Sequence, residues 1–378
     1  MLRTTSTFAW LCFAFYGSLT QARDDAGFRH TIFNGANLDG WNVTGCDAQV
    51  TNGSLLLQDG NGFVRTNHAY TDFILEIEWR PLREEKWDSG IYIRAALPSE
   101  NEHWPQQYQI NLLQGHEGNL IGQPLAANPD LVKPGDWNHF KLTVIGPHAE
   151  LEINGHFAWE TNSLEALSGY IGLQSEVPGG GQFLFRNIAI TELHHQSLFN
   201  GTDLTGWEGA GQDAALCWKA AGGELLCTGD QGPWLRSLAE YDDFNLRLEY
   251  RLRDGGNSGV YLRVPADGNH HGEGAGVEVQ ILDDKSTRYK DLKPYQFSGS
   301  VYAIAPARQH VGLPVGHWNT LEIHCTAKNY VVTHNGIVIV AAQTAEFPEL
   351  MERRSKGFLG LQNHSEEVWF RNLRLAPQ

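Results

Sequence analysis

A chain of 378 residues with 41% hydrophobic side chains is long enough to bury two or three separate cores. Its formal net charge of −16 argues against nucleic acid or an anionic membrane surface as partner, and suits a neutral substrate such as a sugar. The 41 glycines, with 12 Trp, 12 Tyr and 17 Phe, favour short β-strands joined by tight turns.

The chain begins with Arg3, an apolar run over 8–19 and the small-residue site Thr20-Gln21-Ala22. That order reads as a signal peptide over residues 1–22, and predicts an exported protein, periplasmic or extracellular. The apolar run is too short to cross a bilayer, and no later stretch is suited to a membrane span. Cys46, Cys217, Cys227 and Cys325 follow, none in C-x-x-C spacing, which argues against structural zinc. Cys217 and Cys227 flank the apparent turn 221–223 symmetrically, so they are expected to face each other across a hairpin, where export would permit a disulfide.

From residue 28 onward the sequence repeats itself. Phe33-Asn34-Gly35, Leu38, Gly40 and Trp41 recur as Phe199-Asn200-Gly201, Leu204, Gly206 and Trp207. Asp88-Ser89-Gly90-Ile91-Tyr92-Ile93-Arg94 recurs as Asn257-Ser258-Gly259-Val260-Tyr261-Leu262-Arg263. Trp137-Asn138, Asn154-Gly155 and Leu173-Gln174 return in order as Trp318-Asn319, Asn335-Gly336 and Leu361-Gln362. Copy one therefore spans 28–193 and copy two 197–376. The joint His194-His195-Gln196 is too short for a flexible tether, so the two copies are expected to pack on each other. The offset rises from 169 at Asp88/Asn257 to 181 at Trp137/Trp318, which puts the extra residues of copy two between those landmarks.

Within copy two, alternating runs predict strands at Glu224–Cys227, Phe244–Leu252, 258–264, 276–282, 320–327, 330–334, 337–341, 358–362 and 368–375. Asn335-Gly336 is a strong hairpin signal, and only 348–354 hints at a helical turn. Many short strands of this kind predict an all-β chain of two tandem jelly-roll β-sandwiches.

Strand parity then sorts the side chains. In 276–282, Val277, Val279 and Ile281 alternate with Glu278 and Gln280, with Asp283 at the strand end. Inward Val260 and Leu262 would leave Asn257, Tyr261 and Arg263 on the opposite face, and inward Leu359 and Leu361 would leave Gln362 and His364 outward. If these strands are neighbours, one polar face collects a base, a cation, carboxamides suited to sugar hydroxyls and an imidazole. A solvated face with an Arg–Glu pair has the same parity, so spacing alone leaves both readings open. Copy one keeps Tyr92 and Arg94 but sets Gln107 opposite Glu278, Leu112 opposite Asp283 and Glu176 opposite His364. Copy two is thus the half expected to do chemistry, with copy one its structural or sugar-contacting companion. The loop before 276 offers His270, His271 and Glu273, ligand types for a divalent metal without an established ligand spacing. Trp234 and Tyr295, placed in loops, suit stacking on a sugar.

The motifs Phe-Asn-Gly-x-x-Leu-x-Gly-Trp at 199–207, Asn-Ser-Gly-Val-Tyr-Leu-Arg at 257–263 and Glu-Val-Gln-Ile-Leu-Asp at 278–283 resemble the bacterial 3-keto-disaccharide hydrolase family. Gly-x-Trp-Asn-Thr at 316–320 and Gly-Leu-Gln-Asn-His at 360–364 continue the resemblance, which covers both copies and is looser in copy one. It implies concanavalin A-like jelly rolls and a substrate sugar already oxidised to a ketone at C3. With such a substrate, the chemistry assigns Glu278 as the base for the C2 proton, Arg263 or a metal as oxyanion stabiliser, and His364 as the acid. Asn257, Tyr261, Gln280, Asp283 and Gln362 would bind the sugar. Two other readings stand beside this one: a non-catalytic carbohydrate-binding module and a cell-surface interaction module.

Overall fold

The structure, a computed structural model, describes residues 27–327, 329–364 and 366–378, so the expected signal peptide lies outside the described residues. Strict alternation builds the strands. Phe73–Pro81 reads FILEIEWRP, and every odd position from Phe73 is buried while every even one is half-exposed. Each half wraps two antiparallel sheets around one apolar core, with Trp79, Phe140 and Phe183 central in the first and Trp218, Tyr250 and Phe370 in the second. Both halves are jelly-roll sandwiches, as the strand pattern predicts.

The two halves differ in how their sheets join. In the first, the long Ser54–Tyr70 strand pairs with Phe183–Glu192 at its start and with Gly169–Glu176 further on, so both layers run together as one 11-stranded sheet. In the second, Pro233, which has no N–H to give a ladder, falls in the break between Glu224–Cys227 and Leu235–Tyr241. The layers are there separate, one of 8 strands and one of 5. The predicted strands of copy two all appear within a residue or two of their bounds, and Pro348–Met351 is the short helix. Trp207–Gly209, Trp218–Ala221 and Leu235–Tyr241 are further strands, too short or too broken in alternation to show in the sequence pattern. Asn154-Gly155 and Asn335-Gly336 both form hairpins with two successive positive φ angles, the backbone that pair of residues accommodates best.

The register relocates the extra residues of copy two. Tyr92 faces Gln109 as Tyr261 faces Glu278, with the same spacing in sequence. The next bridge runs from Ile110 to Leu120 in the first half but from Val279 to Val301 in the second, so the insertion lies after Leu282. Glu278 therefore corresponds to Gln109 rather than Gln107, and Asp283 to Gln114 rather than Leu112. The cysteine expectation is also corrected: Trp218, not Cys217, faces Cys227 across the hairpin, one residue out of the assumed register. Asn363 sits between the two sulfurs, and all four described cysteines are free.

The halves meet through a buried polar seam. Glu192 of the first half, 3% exposed, accepts from Arg247 at 2.7 Å and Arg374 at 2.6 Å, with His30 and His195 at 3.0 and 3.1 Å. Burial opposes its charge, but Arg374, Arg247 and the histidines together hold its carboxyl well below the usual range. His68 meets Glu322 at 2.9 Å, Asn67 donates to Thr320 at 3.0 Å, and Asp39 accepts from His317 and from the Trp318 amide.

Candidate active site

The inner sheet of the second half runs Trp207–Gly209, Leu235–Tyr241, Gly357–Leu361, Asn257–Val264, Val277–Leu282. Its polar face centres on Glu278, 3% exposed and directly opposite Tyr261. Gly259 makes this placement feasible: a Cβ there would lie 2.0 Å from Glu278 Oε1. Gly360 likewise leaves room for the ring of Trp234, which meets Tyr261 edge-on at 5.3 Å. In-strand glycines usually weaken a sheet, so two of them at close approaches mark where side chains had to lie flat on backbone.

The loop 265–276 folds over this face. It stacks His270 on Tyr261 at 4.8 Å and brings its Nε2 to 3.2 Å from Glu278 Oε2. His270 Nδ1 lies 3.2 Å from the Gly268 carbonyl, an acceptor only, so Nδ1 carries hydrogen and Nε2 is the acceptor. Burial pushes the Glu278 carboxyl up to about 8, and burial also lowers His270. The contact is therefore one between a protonated carboxyl and a neutral imidazole, not an ion pair. Glu278 Oε1 is buried with no hydrogen-bond partner among the described residues.

Gln362 follows the Gly357–Leu361 strand. Its Nε2 donates to the Tyr261 hydroxyl at 3.1 Å, while its backbone N–H donates to the Gly259 carbonyl. Gln280 lies on the same face opposite Gly259, 6% exposed. The structure thus gathers Glu278, Tyr261, Gln280 and Gln362, and adds His270 and Trp234.

Other expected members lie elsewhere. Arg263 does not share the face with Tyr261. Its φ is +53° at a bulge where register slips between Tyr261 and Val264, which breaks the alternation that the parity reading assumed. The side chain is 2% exposed and spends its donors on the Asp242 carbonyl at 2.6 Å and Asp243 at 2.7 Å. Arg94 of the first half does the same with φ +45°, the Thr71 carbonyl and Asp72, so this arginine is a structural pin of each sandwich. The repeated pairs Asp72/Asp243 and Phe73/Phe244 were its sequence signal. Asp283 caps a turn, accepting from the amides of Gly255 and Lys285. With Asp284, Tyr250 and Phe297 it borders a separate cavity of about 150 Å³, which excludes Glu278. Asn257 opens its strand beside the Tyr289 hydroxyl, and His364 is exposed beyond Gln362. His270, His271 and Glu273 do not close on a common point. The set of three among the described residues that can do so is His148, Glu150 and Glu160, in the first half.

Comparison with known proteins follows the same division of the chain. The model of a 3-keto-alpha-glucoside-1,2-lyase-like domain matches residues 29–191 and again 194–376. A 3-keto-disaccharide hydrolase of Bacteroides thetaiotaomicron is 25% identical over 225 residues, covering 47% of this chain and 77% of that protein. A solved Parabacteroides distasonis structure, designated a candidate glycosyl hydrolase, is 24% identical with a TM-score of 0.44, over 49% of this chain and 99% of its own. A carbohydrate-binding module of Bacillus subtilis is 15% identical with a TM-score of 0.33, over 40% of this chain and 96% of its own.

Proposed function

Because the chain belongs to the 3-keto-alpha-glucoside-1,2-lyase-like family in both halves, we propose that its second half cleaves glycosides whose sugar carries a ketone at C3. The observation that carries this reading is Glu278, a buried carboxyl without a cation, in contact with an imidazole, on a face of carboxamides and aromatic rings. Strongly shifted carboxyls cluster at functional sites, where burial is arranged to tune them.

A C3 ketone acidifies the C2 proton. Glu278, its own proton having gone to solvent as the site opens, takes the proton from C2, and the C2–H electrons form an enolate. Collapse of the enolate breaks the C1–O bond, and the aglycone leaves with a proton. Water then adds hydroxide at C1 and a proton at C2, for net hydrolysis. A base whose affinity for protons is raised by burial is better matched to this step than an ordinary carboxylate. Tyr261 accepts from Gln362 and keeps its own hydrogen to give, so it replaces Arg263 as the donor to the ketone oxygen. His364, exposed two residues beyond Gln362, is the acid for the aglycone. Glu278 is covered by the loop 265–276, so a sugar enters when that loop lifts; Gly268, Gly272 and Gly274, all at positive φ, allow the backbone change.

The test is aglycone release from a panel of 3-keto-glycosides, with and without chelator. Glu278→Gln should fold and bind but release aglycone about 10²–10⁴-fold more slowly. His364→Ala should cost less with an activated leaving group than with a sugar. Near-normal turnover by Glu278→Gln removes it as the base, and binding without any turnover by the wild type favours a binding module.

A further inference from the structure

The same sheet face exists in the first half with its proton-transfer groups exchanged for hydrogen-bonding ones. Gln109 stands where Glu278 does, opposite Tyr92, and Gly90 leaves room for it as Gly259 does for Glu278. Phe63 takes the place of Trp234, edge-on to Tyr92 at 5.5 Å, over Gly172. In place of His270, Trp104 packs against the Phe63, Tyr92 and Ala95 cluster while remaining partly exposed. Gln109 Nε2 donates to Gln174 Oε1, and Gln174 Nε2 donates to Glu176 at 3.0 Å. On the neighbouring strand, in register with Glu176, the Asn61 side-chain oxygen is buried with no partner among the described residues.

We propose that this face is a second, non-catalytic site that binds an uncharged hexose unit; the inference rests on reading the face around Glu278 as a sugar site. Three features select that ligand. A partly exposed indole beside carboxamides matches a sugar, whose C–H face stacks on the ring while its hydroxyls meet amide and carboxylate oxygens. Glutamine at 109 keeps the shape and hydrogen-bonding capacity of glutamate but cannot take a proton, so binding is retained where chemistry is lost. Glu176 lies close enough to Asp88 to feel its charge, Tyr92 feels both carboxylates, and among the described residues no cation joins them in acting on either group. An acidic sugar would therefore be repelled, and a neutral one has its hydroxyls accepted.

The experiment uses the full chain carrying Glu278→Gln, so that no turnover intervenes, titrated calorimetrically with maltose, cellobiose and sucrose and with their 3-keto forms. Two sugars should bind per chain. Trp104→Ala and, separately, Gln109→Leu should each weaken one of the two sites at least tenfold and leave the other unchanged, the surviving site reporting that the chain is folded. A disaccharide bearing a uronic acid should bind the first-half site at least tenfold less well than its neutral counterpart. One sugar per chain, unaffected by either variant, overturns the inference and leaves the catalytic reading standing. One sugar abolished by both variants supports the inference and overturns sugar binding around Glu278. No sugar bound overturns both, and equal binding of the uronic acid overturns the assignment to uncharged ligands.

Discussion

If Glu278 is held protonated by burial, replacing it with glutamine should stabilise the protein, and by an amount that grows with pH. The folded carboxyl titrates near 8 against 4.5 for an ordinary glutamate. A folded pKa above the unfolded one means the favourable contribution is complete below 4.5 and is lost as pH rises through about 8. Each pH unit in that window costs the wild type about 1.4 kcal/mol, so the upper bound is about 3 kcal/mol at pH 7 and about 5 kcal/mol at pH 8. Glutamine mimics the protonated acid: its Nε2 is a donor to set against His270 Nε2, from which the carboxyl oxygen now lies 3.2 Å away, and it has no ionised state to desolvate. Urea denaturation of wild type and Glu278→Gln between pH 4.5 and 8.5, followed by tryptophan fluorescence, checks this. The two curves should nearly coincide at pH 4.5 and diverge steadily above it. A stability difference independent of pH, or a variant less stable than wild type at pH 8, refutes the reasoning.

Further outcomes follow from the seam and the cysteines. Glu192→Gln leaves Arg247 and Arg374 short of their shared counter-charge, so its cost should be about 3–5 kcal/mol by urea denaturation, and the isolated second half should unfold at lower urea than the full chain. In the native protein Cys217, Cys227 and Cys325 should resist alkylation, since all three are buried and burial raises their thiols, Cys227 and Cys325 to about 12; mass spectrometry of the non-reduced chain should find no disulfide.

Much of this architecture was legible because strands write their faces into the sequence with period two. Parity put Glu278, Tyr261, Gln280 and Gln362 on one side of their strands, the sheet order made those strands neighbours, and duplication showed which half carried a carboxyl. Parity failed at Arg263, where one left-handed residue reverses every side chain after it, a conformation that nothing in the local pattern announces. It failed by one residue at Cys217 because a hairpin's register depends on its turn, not on symmetry about a glycine pair. The pairing with Gln107 failed because the insertion was spread over the wrong interval. The fixed spacing from Gly90 to Gln109 and from Gly259 to Glu278 is the better ruler, since each glycine exists to receive that side chain. In the sequence His270 shows only a ligand type, because loop-to-strand contacts leave no periodic trace.

Two buried glutamates make the functional case sharper than either does alone. Glu192 and Glu278 are each 3% exposed, so desolvation opposes ionisation of both. Around Glu192 two arginines and two histidines overcome that penalty and its carboxyl is driven down, the arrangement expected of a structural joint. Around Glu278 the single basic neighbour among the described residues is an imidazole itself driven towards neutrality, and the carboxyl is driven up. A residue kept for packing would gain by becoming glutamine, the change already present at Gln109 on the same scaffold. The second half instead retains an acid whose burial opposes its ionisation, and the proton transfer proposed for Glu278 is a use that would offset such a cost.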